Sequence, residues 1–321
     1  MRHAAHYDWP RRRIIFLGCL LLLCIAGVLI VLRIVTAQGR FREGVLVVGD
    51  PMLLVSWGAD RPIVRIVKIP VHGFVEGVYG YGSYPLGALW TLESSSSRDR
   101  GLLVSSVEEA VGVWVPWFIG DRGGSLPDRG DARDALGRVF SAGSVFRLVS
   151  QGYQTNMPLG VFVSFVFRLS FLRPDDLKIF DMTQASVLTT ERLADGSTRE
   201  LLDPRRLDTQ LGTNLEDDRI RSEALKVIVY NTTATATLGS RVGRLLSHMG
   251  ARVVAIGNDV SGSAPLGCIV RGRKKILESN TARLVTFIYG CTLEERTEVD
   301  DRADITVHMG TRYEHRFYPR Q

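Results

Sequence analysis

Histidine and cysteine are scarce in this chain of 321 residues, which holds six of the former and four of the latter. The histidines show no spacing typical of metal ligands, so no metal site is expected on them. The chain also lacks a continuous basic stripe with interleaved aromatic residues, which argues against nucleic acid as a partner. No repeat of fixed period is present. The apolar and charged fractions, 45% and 23%, are nevertheless ordinary for a folded protein.

One stretch of the chain has the strand, turn and helix pattern of a phosphate-binding loop but lacks the glycines that such a loop needs. Residues 226–243 read KVIVYNTTATATLGSRVG, a strand pattern followed by a small-residue turn and a helix. This order of elements can bind phosphate at a helix N-terminus. However, Gly239 is the only glycine near the start of the helix, and neither G-x-G-x-x-G nor G-x-x-x-x-G-K-[ST] is present there. We interpret Thr237 as the residue that caps this helix, and nucleotide binding is not expected.

One charge-free apolar run has the length of a membrane span. Residues 14–32 contain nineteen uncharged, mostly apolar residues, preceded by three arginines at 11–13. The arginines favour a cytoplasmic N-terminus, although Arg33, Arg40 and Arg42 weaken that bias. A cleaved signal peptide is the alternative, but its apolar region would be shorter. We predict a single-pass membrane protein whose bulk is extracytoplasmic.

The apolar run at residues 155–172 is interrupted by Arg168 and predicts a buried helix rather than a second membrane span. Only Cys268 and Cys291 lie beyond the predicted anchor. An extracytoplasmic compartment permits a disulfide between them. Two buried thiols are an equal alternative, because cysteine is often fully buried.

Strand and helix patterns alternate along the rest of the chain, which predicts an α/β fold. The alternation is clearest after residue 224, where ALKVIVYN, ARVVAIGN, LGCIVRG and ADITVHMG read as strands and helices lie between them. The predicted parts are a basic cytoplasmic tail at 1–13, a transmembrane anchor at 14–35, a first α/β domain at 44–180, a polar connecting segment at 181–223, a small α/β domain at 224–313 and a tail at 314–321.

The last of these domains resembles the C-terminal domain of LytR-CpsA-Psr proteins. The resemblance lies in V-x-V-x-N-x-T, followed by L-G-S-R-V, a helix ending in H-M-G, the strand V-V-A-I-G-N and a closing D-I-T-V-H-M-G. It covers residues 224–313. It implies a small α/β domain in a membrane-anchored envelope protein of bacteria.

Residues 44–180 resemble the catalytic domain of the same family. The similar segments are VLVVGDPMLLVSW, RIVKIPVHGFVEGVYGYG and SSVEEAVGVWVPWFIG. This resemblance implies a mixed sheet with helices. Family members are thought to transfer glycan polymers from a polyprenyl diphosphate to the cell wall, using arginines, aspartates and Mg²⁺.

The chain departs from that family where the family motif reads Ile-Pro-Arg-Asp. Here the residues are Ile69, Pro70, Val71 and His72, so both functional side chains of the motif are replaced. Valine cannot supply the bidentate, permanently charged donors with which arginine holds a diphosphate. Histidine is a poor substitute for the oxygen ligands that Mg²⁺ prefers.

A few residues near this motif remain candidates for ligand binding. Asp50 keeps its place but is followed by Pro51, which changes the local backbone. The other candidates are Lys68, His72, Tyr79 and Tyr81, because amphipathic rings suit a lipid or glycan; packing explains the tyrosines equally well. Arg129, Arg133 and Arg138 are interpreted as a solvated helix face. No catalytic residue is assigned.

These departures predict a non-catalytic envelope protein that binds a lipid-linked or cell-wall glycan, or tethers a protein partner acting on one. Its other partner is the lipid bilayer, and no cofactor is expected. The alternative is a phosphotransferase with a rearranged site, which would need Mg²⁺. A transcription regulator would need access to DNA, which an extracytoplasmic domain lacks.

Overall fold

The computed structural model describes residues 16, 27, 41–58, 63–95, 101–150, 152–183, 187–259, 265–296 and 302–318. The predicted basic tail and the predicted anchor therefore lie outside the described residues, apart from Phe16 and Gly27. Within the described ranges, no helix combines the length and the apolar character needed to cross a bilayer.

The described residues form an α/β protein, as predicted, with three sheets. The strands are β1 (Glu43–Val47), β2 (Met52–Trp57), β3 (Val64–Ile69), β4 (Phe74–Gly77), β5 (Gly82–Pro85), β6 (Trp117–Asp121), β7 (Tyr153–Thr155), β8 (Leu177–Asp181), β9 (Leu188–Arg192), β10 (Thr198–Leu202), β11 (Lys226–Asn231), β12 (Arg252–Asn258), β13 (Cys268–Gly272), β14 (Thr292–Glu295) and β15 (Ile305–Met309). The helices are α1 (Leu86–Ser95), α2 (Leu102–Val111), α3 (Ala132–Val139), α4 (Ala142–Val149), α5 (Leu159–Ser170), α6 (Pro204–Leu211), α7 (Asp218–Glu223), α8 (Leu238–His248), α9 (Lys274–Leu277), α10 (Asn280–Tyr289) and α11 (Thr311–Glu314).

A six-stranded sheet in the order β7-β6-β1-β2-β3-β8 organises the first domain. Strand β1 pairs parallel with β6, and β3 pairs parallel with β8. Strand β2 runs antiparallel between β1 and β3. Four strands, β1, β3, β6 and β8, therefore point the same way, and their carboxyl ends lie along one edge of the sheet.

Helices cover both faces of this sheet, because side chains alternate across a strand. On one face, Leu46 and Leu54 pack into a cluster with residues of α1 and α2. On the other face, Val47 and Leu53 pack with residues of α3 and α5. Every residue of β2 is consequently buried. The predicted buried helix at 155–172 is α5, whose Phe162 and Phe165 lie in the second cluster.

Residues 181–223 differ from the predicted connecting segment. Strands β9 and β10 form a hairpin that turns at Asp195-Gly196, and β10 pairs with β4 in the four-stranded sheet β5-β4-β10-β9. Helix α6 buries Leu207 and Leu211 in the first core. The segment is polar overall, but Leu207 and Leu211 are four residues apart and lie on the same face of the helix. Burial of this apolar face packs the helix against the core.

The second domain is a five-stranded sheet in the order β12-β11-β15-β13-β14. Helix α8 ends near Gly250, as predicted, where a φ of 100° suits glycine. Thr237 precedes α8, but its side chain makes no capping hydrogen bond, contrary to the prediction. Between β13 and β14 lie two helices, α9 and α10, and the Ser279 hydroxyl accepts from the backbone N–H of Ala282 at the start of α10.

Cys268 and Cys291 are joined by a disulfide, with their Cα atoms 4.4 Å apart. Cys268 begins β13 and Cys291 immediately precedes β14, its parallel neighbour. The bond therefore links two adjacent strands at one side of the sheet.

Residues 313–317 hold the second domain against the first, although the prediction assigned 314–321 to a tail. Arg316 Nη1 lies 3.0 Å from Glu108 Oε2 and 3.4 Å from Glu109 Oε1. The Tyr313 hydroxyl donates to Glu109 Oε1 at 2.6 Å, and Tyr79 N donates to Arg316 O at 2.6 Å. Glu108 is 4% exposed, and its burial raises the pKa of this carboxyl while Arg316 lowers it. The segment was predicted as a tail because it follows the last strand, but its charges have buried partners.

A second contact between the domains centres on Arg244 of α8. Its Nη2 lies 2.6 Å from Asp208 Oδ1, and its Nη1 and Nη2 donate to Glu109 O and Ala110 O at 2.9 and 3.0 Å. One planar guanidinium therefore binds both α2 and α6.

The first prediction concerns Arg316. Arg316→Ala leaves Glu108 as an unpaired, buried carboxylate, so we expect the free energy of unfolding to fall by roughly 3 kcal/mol. Arg312→Ala removes an exposed arginine of α11 and should change it by less than about 0.5 kcal/mol. Urea unfolding followed by circular dichroism measures both. Equal effects of the two substitutions would contradict the ion-pair account.

The second prediction concerns His308 in β15. Its Nε2 lies 3.3 Å from Arg271 Nη1 and its Nδ1 lies 3.4 Å from Asp259 Oδ2. Burial and then Arg271 lower the pKa of His308 below its ordinary value of 6.5. As the pH falls, His308 is therefore protonated at a higher pH in the unfolded chain than in the folded protein.

This contribution of His308 to stability is fully present above pH 6.5 and is lost as the pH falls through the lower pKa of the folded state. Unfolding midpoints between pH 8 and 5 test this. We expect His308→Gln to reduce the loss of stability on acidification. The same loss in this variant and the parent would rule out His308 as the group responsible.

Candidate functional site

The carboxyl edge of the six-stranded sheet carries a row of charged residues. Asp121 and Asp181 are the last residues of β6 and β8. Lys68 lies one residue before the end of β3, and Asp50 follows β1. Because these strands run in the same direction, the topology brings the four residues to one side of the domain.

Lys68 is engaged in an ion pair at this edge. Its Nζ lies 2.7 Å from Asp181 Oδ2, and both side chains are largely covered. Thr183 donates to Asp181 Oδ1 through its backbone N at 3.0 Å and its Oγ1 at 2.5 Å. Burial of Asp181 acts to raise its pKa, but the hydrogen bonds from Lys68 and Thr183 outweigh it and hold the pKa below its usual range. The Asp181 carboxylate therefore stays ionised at neutral pH.

Arg129 is the most deeply buried charge at the edge, with 6% of its surface exposed. Its Nε and Nη2 donate to Val48 O at 3.1 and 2.9 Å, and its Nη2 lies 3.2 Å from Asp121 Oδ2. Asp121 Oδ1 also lies 3.1 Å from Arg147 Nη2. A Cβ at Gly49 would overlap Arg129 Cγ, so this approach requires glycine there.

Arg129 thus differs from the predicted solvated helix face. It precedes α3, whereas Arg133 and Arg138 lie on α3 and are exposed, as predicted. The sequence signal that could have revealed Arg129 is weak. That signal is the closeness of Arg129 in the sequence to Asp121 and to the start of α3 at Ala132.

Asp50 is exposed, and its backbone is fixed to the segment before α3. Asp50 N donates to Pro127 O at 2.9 Å, and Arg129 N donates to Asp50 O at 2.7 Å. Residues 127–129 therefore lie beside β1 at the carboxyl edge, with an isolated bridge between Asp50 and Asp128. The peptide bond between Asp50 and Pro51 is cis.

The remaining predicted residues have partners outside this row. His72 is exposed, and its Nε2 lies 3.4 Å from Glu200 Oε2 of the four-stranded sheet. Tyr79 and Tyr81 are half-buried and pack against the first core. Val71, which stands where the family motif has arginine, also packs against that core. The structure brings Asp50 and Lys68 to the carboxyl edge, whereas His72 faces Glu200 and the two tyrosines pack against the first core.

A pocket of about 480 Å³ lies between α3 and α5, and sequence reasoning missed it. Its apolar lining consists of Leu136, Phe140, Leu169, Leu172 and Leu177. Arg133, Arg173, Ser141, Ser170 and Gly137 complete it. These residues come from two separate stretches, 133–141 and 169–177, and only the packing of α5 beside α3 brings them together.

The Mg²⁺ that the family resemblance implies does not fit the described carboxylates. Among the residues that the structure describes, no group of three histidine, cysteine, aspartate or glutamate side chains is placed to hold a metal ion. At the sheet edge, Asp121 and Asp181 face cations of the protein itself.

Comparisons with known proteins gave structural likenesses alone. No protein-family model matches the chain, and no curated protein matches it. The Lin1025 protein from Listeria innocua is 17% identical, with a TM-score of 0.39, over 53% of this chain and 95% of that one. TagV from B. subtilis is 11% identical, with a TM-score of 0.37, over 53% and 93%.

A structure described as TagT bound to LIIa-WTA is 12% identical, with a TM-score of 0.38, over 56% of this chain and 92% of that one. At these values the function has to be argued from the residues of this chain.

The third prediction concerns Arg129. Arg129→Lys keeps the positive charge but cannot reproduce three guanidinium contacts, so we expect the free energy of unfolding to fall by about 1–3 kcal/mol. The matched control is Arg133→Lys on the exposed face of α3, which should change it by less than about 0.5 kcal/mol. Chemical denaturation measures both. A fully stable Arg129→Lys variant would show that the guanidinium geometry is dispensable.

Proposed function

We propose that the chain is a non-catalytic envelope protein that binds a lipid-linked glycan, with the lipid in the pocket between α3 and α5. The observation that carries this proposal is the composition of the pocket. Five apolar side chains form its wall, and two exposed arginines, Arg133 and Arg173, are part of its lining. An apolar wall combined with cationic groups suits an amphiphile with an anionic head.

The apolar wall suits a prenyl chain. The volume of about 480 Å³ falls within the usual range of small-molecule sites, roughly 300–1,000 Å³. Burial of hydrocarbon there contributes about 25 cal/mol for each Å² removed from water. Leu136 also belongs to the apolar cluster between the six-stranded sheet and helices α3 and α5, so the wall of the pocket is continuous with the packed interior of the first domain.

The arginines suit a phosphate or diphosphate. Guanidinium groups form paired hydrogen bonds with phosphate oxygens and remain charged at all physiological pH values. Arg133 lies on the first turn of α3 after Asp131, and Arg173 follows α5. They enter the lining from two different elements, so an anion between them would bind both sides of the pocket.

The absence of transfer chemistry is supported by the state of the sheet edge. At the carboxyl edge, Lys68 and Arg129 are the cations with the least exposed side chains, and each forms an ion pair with an aspartate. Val71 replaces the arginine of the family motif, and its side chain packs against the core. Groups held in this way stabilise the protein and have little capacity to bind a transferring phosphoryl group.

The place of this activity in the cell follows from the predicted anchor and from the family resemblance. A protein tethered by residues 14–35 with its domains outside the cytoplasm would meet polyprenyl-linked glycans at the membrane surface. The second domain offers a separate surface for a protein partner that acts on the same glycan.

The fourth prediction tests the pocket directly. Gly137 lines it, and a Cβ there would meet nothing within 4 Å, so a larger side chain can enter the space without a clash at Cβ. We expect Gly137→Phe to weaken the binding of a polyprenyl diphosphate at least about tenfold, or 1.4 kcal/mol. Gly137→Ala is the matched control, because it changes the same helix position but leaves the pocket open.

The measurement uses the full chain in detergent micelles, with radiolabelled geranylgeranyl diphosphate or a polyprenyl-diphosphate glycan and Mg²⁺ present. Bound ligand and cleaved phosphate are followed in the same sample. Binding without cleavage supports the proposal. Equal binding by Gly137→Phe and Gly137→Ala would move the ligand to another site.

Cleavage above a protein-free control would establish the phosphotransferase alternative instead. Asp50 is then the first residue to test, because it is exposed at the sheet edge. Asp50→Lys should abolish that cleavage if the edge is a rearranged catalytic site, and should leave simple binding unchanged.

A further inference from the structure

Helix α5 is apolar on its outer face as well as on its buried face. Phe162 and Phe165 are buried in the second core, at 0% and 2% exposure. On the side facing solvent, Leu159 and Phe167 are 49% and 42% exposed, and Val163 lies between them at the helical spacing of i, i+4 and i+8. The exposed Ser170 is the polar residue of this stripe. A surface helix of a soluble protein normally presents polar residues there, so this face needs a partner.

The apolar face continues beyond the end of the helix. Phe171 is 72% exposed, and its ring centroid lies 4.8 Å from that of Phe167. Arg168 and Arg173 flank Phe171 along the chain. Two exposed aromatic rings with arginines beside them form a surface with an apolar centre and a cationic margin.

The N-terminal part of the chain reaches the domain directly beside this helix. Glu43, the first residue of β1, pairs with Trp57 across the sheet, and the Trp57 ring lies 4.2 Å from the Phe165 ring of α5. Arg168 is close enough to Glu43 to lower its pKa, against the larger effect of burial, which raises it. Arg42 N then donates to Asp217 Oδ2 at 2.6 Å, and Phe41 packs in the core of the second domain. The chain that precedes residue 41 therefore leaves the described structure where the C-terminal end of α5 approaches the second domain.

The length of that preceding chain limits how far the domain can lie from a membrane. The apolar run ends at residue 32, and Phe41 is already packed in the second domain's core. Residues 33–40 can span at most about 28 Å when fully extended, at about 3.5 Å for each residue. If the apolar run crosses a bilayer, as its sequence predicts, the junction at residue 41 lies within about 28 Å of the lipid surface, and the C-terminal end of α5 lies beside that junction.

We propose that the outer face of α5, together with Phe171, docks into the headgroup region of the membrane in which residues 14–32 are anchored. Phenylalanine and leucine side chains would enter the boundary between headgroups and acyl chains, and Arg173 would stay at the level of the lipid phosphates. The proposal rests on the predicted anchor and on the exposed face, and does not require that the pocket binds a diphosphate.

A lipid surface fits this face better than a protein partner. A helix of twelve residues is about 18 Å long, and a stripe about 10 Å wide along it covers roughly 180 Å². A stable protein interface buries about 800 Å² on each partner. The small face suffices for a bilayer, because a short tether keeps the effective concentration of lipid high.

The fifth prediction uses an environment-sensitive probe on the full chain in lipid vesicles. Cys19→Ala and Cys24→Ala remove the thiols of the apolar run, and Cys268 and Cys291 are joined by their disulfide. An NBD fluorophore is then attached to a cysteine introduced by Phe171→Cys. The matched control is Leu266→Cys in the second domain, because Leu266 is 70% exposed and Phe171 is 72% exposed.

The protein is reconstituted in vesicles of phosphatidylcholine and phosphatidylglycerol, with and without doxyl-labelled lipid. We expect at least about twofold quenching and a blue shift for the probe at 171, and neither for the probe at 266. Adding Phe167→Ser to the Phe171→Cys protein should reduce the quenching, while its unfolding transition stays that of a folded protein.

Equal, unquenched emission from the two probes would overturn the proposal. So would a blue shift at 171 that depends on the ratio of protein to lipid without quenching by the labelled lipid, because this would identify a second copy of the chain as the occupant. The pocket is tested in micelles and the α5 face in bilayers, so a failure of one proposal is distinguishable from a failure of the other.

Discussion

The burial of the central sheet on both faces is the constraint on which the rest of the first domain depends. All six residues of β2 are buried, so helices must cover the sheet on each side. Helices α1 and α2 cover one face and α3 and α5 the other, and the pocket exists because α3 and α5 do not close completely over the second face. The charged row lies at the carboxyl edge, where the strands end and the covering helices no longer enclose every side chain.

The charges at that edge are better understood as parts of the fold than as a reaction centre. Arg129 joins the segment before α3 to the end of β1 through Val48 O, and Lys68 joins β3 to β8 through Asp181. Each cation is desolvated together with its partner, and separating such a pair is costly. A substrate anion would have to compete with carboxylates already in place. If the pocket binds as we propose, stability depends on the sheet edge, while ligand binding depends on a different site that contains Arg133 and Arg173.

Local patterns in the sequence predicted many of the elements but little of the site. The strand at 226–231 and the helix ending near Gly250 follow from periodicity and from glycine at a positive φ, both of which are local properties. The pocket requires residues 133–141 and 169–177 to meet, and no local rule contains that contact. The local sequence does not distinguish Arg129 from Arg133. Arg129 is buried because its guanidinium donates to the carbonyl oxygen of Val48, a residue about eighty positions earlier in the chain. Of the ligand-binding candidates, Lys68 pairs with Asp181 and Tyr79 packs against the first core, and neither contact could be read from the local sequence.

The contact of residues 313–317 with the first domain has a consequence for the order in which the chain can fold. Translation proceeds from the N-terminus, so Glu108 and Glu109 leave the ribosome about two hundred residues before Arg316 and Tyr313. Until then the first domain carries two adjacent acids on α2 without their partners, and it cannot bury them at low cost. Burial of these two acids is therefore completed only when synthesis of the second domain is almost finished.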